Sequence, residues 1–245
     1  MRAIIRYIVS FVVLLAIFAS CERRPLSELA NYTNIKVEVD IEAVANVTCD
    51  IYNEKIPIPV IEPQAMHVLF YEPNSKYVAA ETFITDIEYN SKGKRMLKGN
   101  ISIMPGNYKM LIYDFGTEAT IVDEYYKWEE CKAYTNEISS SLKGAFKTRS
   151  DFDYIVHEPD HLVVARSENE HIPYVEEVHT IEAAATSVVE SYYVQIKVEG
   201  LEYVATAQAI LSGMVSGNKI SSNIKIIEPQ ASVYFTMHKS DDKGV

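Results

Sequence analysis

Strict alternation of apolar and charged residues is the feature that most narrows what this chain can fold into. In IKVEVDIE, residues 35–42, Ile35, Val37, Val39 and Ile41 fall on one side of an extended backbone, with Lys36, Glu38, Asp40 and Glu42 on the other. A helix would scatter these two sets around its circumference, whereas a strand separates them, so the segment predicts a β-strand with one buried face. AMHVLFYEP (65–73) and YVAAETFIT (77–85) predict further strands. GKRMLKGNISIMPGNYKMLIYDFG (93–116) predicts a hairpin centred on Pro105 and Gly106. Proline presets φ at the second turn position and glycine tolerates positive φ at the third, which suits a type II turn. The less regular YKWEECKAYTNEISSSLKGAF (126–146) predicts one short helix before a polar loop. Charge and a proline in SENEHIP (167–173) suggest a link between domains.

A second copy of the early pattern follows that link. YYVQIKVEG (192–200) alternates Val194, Ile196 and Val198 against Gln195, Lys197 and Glu199, and its KVE repeats the KVE of 36–38 at an offset of 161. IIEPQASVYFTM (226–237) echoes VIEPQAMHVLFY (60–71), with EPQA offset by 166. Two matches in the same order at nearly the same offset point to two related domains. Many short strands with turn signals need a second sheet to cover their apolar faces, so the expected architecture is all-β, as antiparallel β-sandwiches. The expected boundaries are a first domain over 34–165, a link over 166–173 and a second domain over 174–245. On the repeat, residue 245 corresponds to about position 79 of the first copy, so the second sandwich is expected to be incomplete, either a smaller domain or a truncated one.

The N-terminus carries a different signal. Arg2 and Arg6 precede an apolar run from Ile8 to Phe18 that only Ser10 interrupts, followed by small Ala19 and Ser20 and then Cys21. This is the layout of a secretory signal over residues 1–20, too short to span a bilayer comfortably. FASC, with Phe18 where leucine is commoner, resembles the lipobox of bacterial lipoproteins. That resemblance implies acylation of Cys21, cleavage before it, and a tether over 21–33. Each methylene buried in lipid contributes about 0.8 kcal/mol, so several acyl chains hold a protein firmly.

With two arginines and no acid in the signal, the mature chain keeps 21 basic and 34 acidic side chains, a net charge of −13. That sign opposes nonspecific binding to nucleic acid or anionic lipid. Cys49 and Cys131 remain once Cys21 carries lipid, and an exported protein allows them to pair across 82 positions or to stay as two buried thiols.

Beyond the lipobox, IMPGNYKMLIYD (103–114), EPDHL (158–162) and YVATAQAILSGMVSG (203–217) resemble the fimbrillin-associated anchor lipoproteins of Bacteroidetes and their uncharacterised relatives. The resemblance runs along the whole mature chain on short, degenerate motifs. It implies two tandem transthyretin-like β-sandwich domains, attachment to the outer membrane through lipid on Cys21, no cofactor, and pilin or fimbrillin subunits as partners that associate by β-augmentation.

Two other functions compete with anchoring. The same sandwiches can bind a glycan or another surface ligand, in which case exposed aromatics should form a platform; a pilin partner calls instead for an open apolar groove beside unpaired strand edges. HEPDH (157–161) matches the H-E-x-x-H of zinc peptidases, in which His157 and His161 would bind metal and Glu158 activate water. That motif requires a helix, and Pro159 opposes one, so a turn is expected instead. Asp151, Asp153 and Asp160 lack the ligand spacing of a calcium loop, and GKRMLKG (93–99) reads as the polar face of a strand.

Overall fold

The alternation at Ile35 becomes strand β1 (Thr33–Ile41), with every second residue buried. The protein is seen as a computed structural model that describes residues 32–41, 61–145 and 154–238, except 195 and 197. β1 pairs antiparallel with β5 (Arg95–Ile103) and parallel with β11 (His179–Ser187), and β4 (Asp86–Tyr89) lies on the far side of β5. A second set runs antiparallel as β3 (Val78–Ile84), β2 (Met66–Tyr71), β6 (Gly106–Asp114) and β10 (Val163–Ile172). β10 meets β11 at Val163–Ser187 and Val164–Thr186, giving the strand order β3-β2-β6-β10-β11-β1-β5-β4.

This ribbon folds back on itself. Ile35, Val37 and Val39 of β1 share one core with Met66, Val68 and Phe70 of β2 and with Met110 and Ile112 of β6, so the two halves face each other as a sandwich. At the closing edge, Ile84 of β3 lies so near Gly99 of β5 that a Cβ placed there would sit 2.3 Å from its Cγ2. The absent side chain of Gly99 is what lets the sandwich shut. Outside the core, Lys98 bridges Glu38 at 3.3 Å and Glu88 at 2.7 Å, and Lys94 reaches Asp40 at 3.4 Å, so the 93–99 cluster answers the acidic face of the neighbouring strands.

A further layer covers the other face of β2 and β6. β7 (Thr120–Asp123), β8 (Lys132–Thr135), β13 (Gly217–Lys219) and β14 (Ile224–Ile226) form a sheet in the order β14-β13-β8-β7. Leu69, Tyr71, Leu111, Tyr113 and Val164 pack here against Trp128, Cys131, Ala133 and Ile220. Covered on both sides, β2 is buried at all six positions, which is why MHVLFY reads as a continuous apolar run and not an alternation. β12 (Ala207–Met214), β15 (Ala231–Met237) and β9 (Ile155–His157) make a third sheet, with β15 parallel to β9. The described fold is thus all-β, as expected, with two parallel pairs among antiparallel ones, one short α-helix, α1 (Ser140–Ala145), inside the segment where one was expected, and a 3-10 turn at Leu201–Tyr203.

Three expectations are corrected. The strands around Pro105 exist but form no hairpin: β5 pairs with β1 and β4, β6 with β2 and β10, so the chain arches from one half of the sandwich to the other. Gly106 does not adopt positive φ and begins β6, so the type II turn is absent too. The link expected over 166–173 is mostly strand, since β10 runs to Ile172 and only Pro173 lies beyond it. Its charges fit because they stand on the polar side, where Glu168 pairs with Lys109 and His171 Nδ1 meets Asn107 Oδ1 at 2.8 Å. The boundary between 165 and 174 therefore falls inside one sheet, and residues Thr33–Val245 group as one unit. Finally, none of the described residues of YYVQIKVEG lies in a strand. No described strand pairs with them, and alternation by itself supplies no hydrogen-bond partner.

Candidate functional site

Two regions expose apolar surface that neither core uses. The first lies on the face of β2, β3 and β6 that also carries the second core, where Phe83 of β3 comes out to solvent. Pairing register places Phe83 of β3 and Tyr113 of β6 directly opposite His67 of β2, so three rings cross the sheet in a row. His67 is 2 % exposed and Phe83 stacks on it, with centroids 4.3 Å apart and planes 17° from parallel. Its Nδ1 lies 2.8 Å from the Tyr113 hydroxyl and its Nε2 3.0 Å from Glu81 Oε2. An ionised carboxylate can only accept, so Nε2 carries the proton and donates to Glu81, and in the neutral ring Nδ1 accepts from Tyr113. Burial pushes the His67 pKa down, and the Glu81 carboxylate partly opposes that shift. The Tyr113 hydroxyl is pushed up, first by burial.

Two loops complete this region. The Phe115 N–H donates to the Ala65 carbonyl at 3.0 Å, which brings the Phe115 ring 4.8 Å from Phe83 at an angle of 59°. The Tyr71 hydroxyl donates to the Tyr125 carbonyl at 2.7 Å, and the Tyr125 ring meets His67 edge-on at 5.4 Å. Phe83 is 51 % exposed and Phe115 55 %. Neither loop residue was singled out from sequence. Glu81 and Phe83 did carry a signal, because in YVAAETFIT they share a face with Ala79 where a half-buried strand is expected to be polar.

The second region is C-terminal. Val194, Ile196 and Val198 are exposed, and Ile210 and Leu211 of β12 and Val233, Tyr234 and Phe235 of β15 are only half-buried. In β2 and β6, residues of the same kinds are fully covered. Ser212 and Ser232 face each other across this sheet, with the Ser232 hydroxyl donating at 3.2 Å.

The residues expected to carry chemistry are dispersed. Cys21 and Cys49 lie outside the described residues, as do Asp151 and Asp153. Cys131 is buried in the second core and has no disulfide partner among the described residues, and burial pushes its thiol pKa up to about 12. His157 ends strand β9, and the residues from Glu158 to Leu162 form neither helix, strand nor turn, so irregular chain stands where a zinc-binding H-E-x-x-H requires a helix and where a turn was expected. Asp160 serves structure instead: Oδ2 accepts from the N–H groups of Ala119 at 2.6 Å and Thr120 at 2.8 Å, and its own N–H donates to Thr120 Oγ1 at 2.9 Å. This knot fixes the start of β7. Among the described residues, no group of three or more His, Cys, Asp or Glu side chains is placed to hold a metal, and no helix is long and apolar enough to cross a membrane.

Comparison with known proteins brings three matches into view. The model of a domain of unknown function, DUF5119, matches residues 20–236. Over 237 residues the chain is 23 % identical to a Bacteroides ovatus protein provisionally named fimbrium anchoring subunit Fim4B, covering 95 % of this chain and 62 % of that one. The chain thus spans somewhat under two thirds of the length of this curated relative. The crystal structure of a protein from the same species, provisionally described as an adhesin, superposes on 91 % of this chain and 67 % of its own, with a TM-score of 0.61 at 21 % identity, a likeness of fold. The resemblance expected from IMPGNYKMLIYD and YVATAQAILSGMVSG is met by the Fim4B match.

Proposed function

We propose, for a chain that belongs to the DUF5119 family, that it is a lipid-anchored cell-envelope protein of the outer membrane, an anchor or accessory subunit of a fimbrium that binds other proteins and catalyses no reaction. The observation that carries this reading is an apolar surface that the described residues leave uncovered between Val194 and Phe235. Val194, Ile196 and Val198 alternate as a strand does, yet stand exposed, and β12 and β15 keep their apolar side chains half-bare. A strand added to such a surface gains about 25 cal/mol per Å2 of apolar area that it covers. Backbone hydrogen bonds to an added strand would supply the rest, with alternate apolar side chains setting the register. Almost the whole chain aligns with a relative named as a fimbrial anchor, which supports pilin-type subunits as the partners. At the other end, the family match begins at residue 20, beside Cys21, in keeping with lipid attachment there.

Two measurements test the two halves of the proposal. Cys21→Ser is expected to leave the signal poorly processed and to move the protein out of the membrane fraction; equal recovery of mature wild-type and variant protein in that fraction would remove the lipid anchor. Ile196→Asp with Val198→Asp is expected to abolish copurification of a fimbrial subunit from native envelopes while the melting temperature stays within about 2 °C, as for other surface substitutions. An undiminished yield of that subunit would place the partner site elsewhere.

A further inference from the structure

The row of rings on β3, β2 and β6 belongs to a different sheet from β12 and β15 and is not used by the proposed anchoring surface. We propose that Phe83 and Phe115, with Glu81 beside them, form a binding subsite for one pyranose ring of a neutral glycan. His67 covers one face of the Phe83 ring, and with half of the residue still exposed, the opposite face is what solvent meets. That is a flat apolar surface of the size of a sugar ring, whose axial C–H groups can lie against it. Phe115, tilted by 59° and in contact with Phe83, forms a side wall. Because the rings touch one another, they enclose no space for a bulky cation, and the arrangement offers a ledge and not a cage.

Glu81 supplies the polar half of the recognition. It stands two residues from Phe83 on the same face of β3, about 7 Å along the strand. His67 holds Oε2, while Oε1 has no hydrogen-bond partner among the described residues. A half-exposed glutamate ordinarily keeps its rotamer freedom; here a buried histidine, itself fixed by Tyr113 and by stacking, removes much of it before any ligand arrives. Such preorganisation suits weak, geometrically demanding contacts, in which a few placed polar groups beside an apolar surface set the orientation.

The charge of this edge decides between occupants. An apolar peptide side chain seated on Phe83 would strip water from the Glu81 carboxylate without replacing its hydrogen bonds, at a cost. A sugar hydroxyl donates to that oxygen and restores them. A uronic or sialic acid would bring a second negative charge to Glu81, on a chain already at −11, so the sugar must be neutral.

The test uses the full chain and four neutral tetrasaccharides, of β-glucose, β-mannose, N-acetylglucosamine and repeated N-acetyllactosamine, followed by saturation-transfer NMR and titration, with tetragalacturonate as the acidic comparison. At least one neutral probe should bind and tetragalacturonate should not. Phe83→Ala and Phe115→Ser should each weaken binding about tenfold or more. Phe83→Tyr should keep it, because it preserves both the ring face and the stack on His67. Tyr203→Ala, which removes the 87 %-exposed aromatic of another region, should change nothing. Phe83→Tyr and Phe115→Ser guard against Phe83→Ala disturbing β3. The proposal is overturned if no neutral probe binds, if binding survives Phe83→Ala and Phe115→Ser unchanged, or if an apolar peptide occupies the rings and no sugar displaces it.

Discussion

Gly99→Ala should open the sandwich at its closing edge. The added methyl would stand 2.3 Å from Ile84 Cγ2, 2.9 Å from its Cβ and 3.3 Å from its Cα. Rotating the Ile84 side chain relieves the first contact only, because Cβ and Cα move with the backbone of β3. Carbon atoms rest at about 3.5–4.0 Å, so the strands must part by something under 1 Å, and a gap of that size forfeits a quarter to a half of each dispersion contact it spans. Ile84 is fully buried, and β3 and β5 meet along their length. We expect a loss of about 2–3 kcal/mol, the upper part of the range for overpacked cores. For a chain of this size that lowers the melting temperature by about 4–12 °C, measurable by circular dichroism or urea titration. Gly144→Ala, where nothing lies within 4 Å of the new carbon, is the matched control and should cost nothing. The decisive arm is a cycle with Ile84→Gly, which removes Cγ2 and Cβ together and leaves only the 3.3 Å contact to Cα. The double variant should be at least about 1 kcal/mol more stable than the sum of the single losses predicts. Additive losses, or a Gly99→Ala protein as stable as wild type, would refute the claim that a bare glycine lets the sheet shut. Since β3 carries Glu81 and Phe83, the same variant should also weaken any ligand held at the ring row.

Two further perturbations probe the elements behind that site. Burial holds the pKa of His67 below its ordinary value of 6.5, so the unfolded chain takes up its proton first as pH falls. Stability from this group is therefore full above about pH 6.5 and is lost as pH drops through the lowered folded value, and His67→Phe should flatten the urea midpoint in that window. A wild-type midpoint equally flat between pH 7 and pH 5.5 would contradict the neutral ring drawn between Glu81 and Tyr113. Asp160→Ala leaves the N–H groups of Ala119 and Thr120 without their shared acceptor, which should cost about 2–3 kcal/mol, with Asp160→Asn losing roughly half as much. Burial and the nearby Asp160 charge raise the Asp114 pKa, so the same Asp160→Ala change should lower it, which a carboxyl-detected NMR titration can follow.

The sequence by itself determined the class of structure and several strands of the first half of the chain. Period two at Ile35, Val37 and Val39, the apolar run at Met66–Tyr71 and the mixed pattern of 126–146 marked where strands and the short α-helix form, because side-chain direction along a backbone is a local property. Which strands pair is not local. Nothing in MPGN distinguishes a hairpin from an arch between two halves of a sandwich, since both need only a reversal between two strands; the difference lies in β5 finding β1 and β6 finding β2 and β10. The charges of SENEHIP likewise look like a link until Lys109 and Asn107 stand beside them on β6, where a strand with one polar face is the stable choice. YYVQIKVEG shows the reverse: its alternation matches that of β1, but no described strand lies beside it, so its apolar face stays exposed. The ring row belongs wholly to tertiary structure. Phe83, His67, Tyr113 and Phe115 are scattered over some fifty positions, and only the register of β3, β2 and β6 makes them one surface, because cross-strand neighbours are set by pairing between segments and not by distance along the chain.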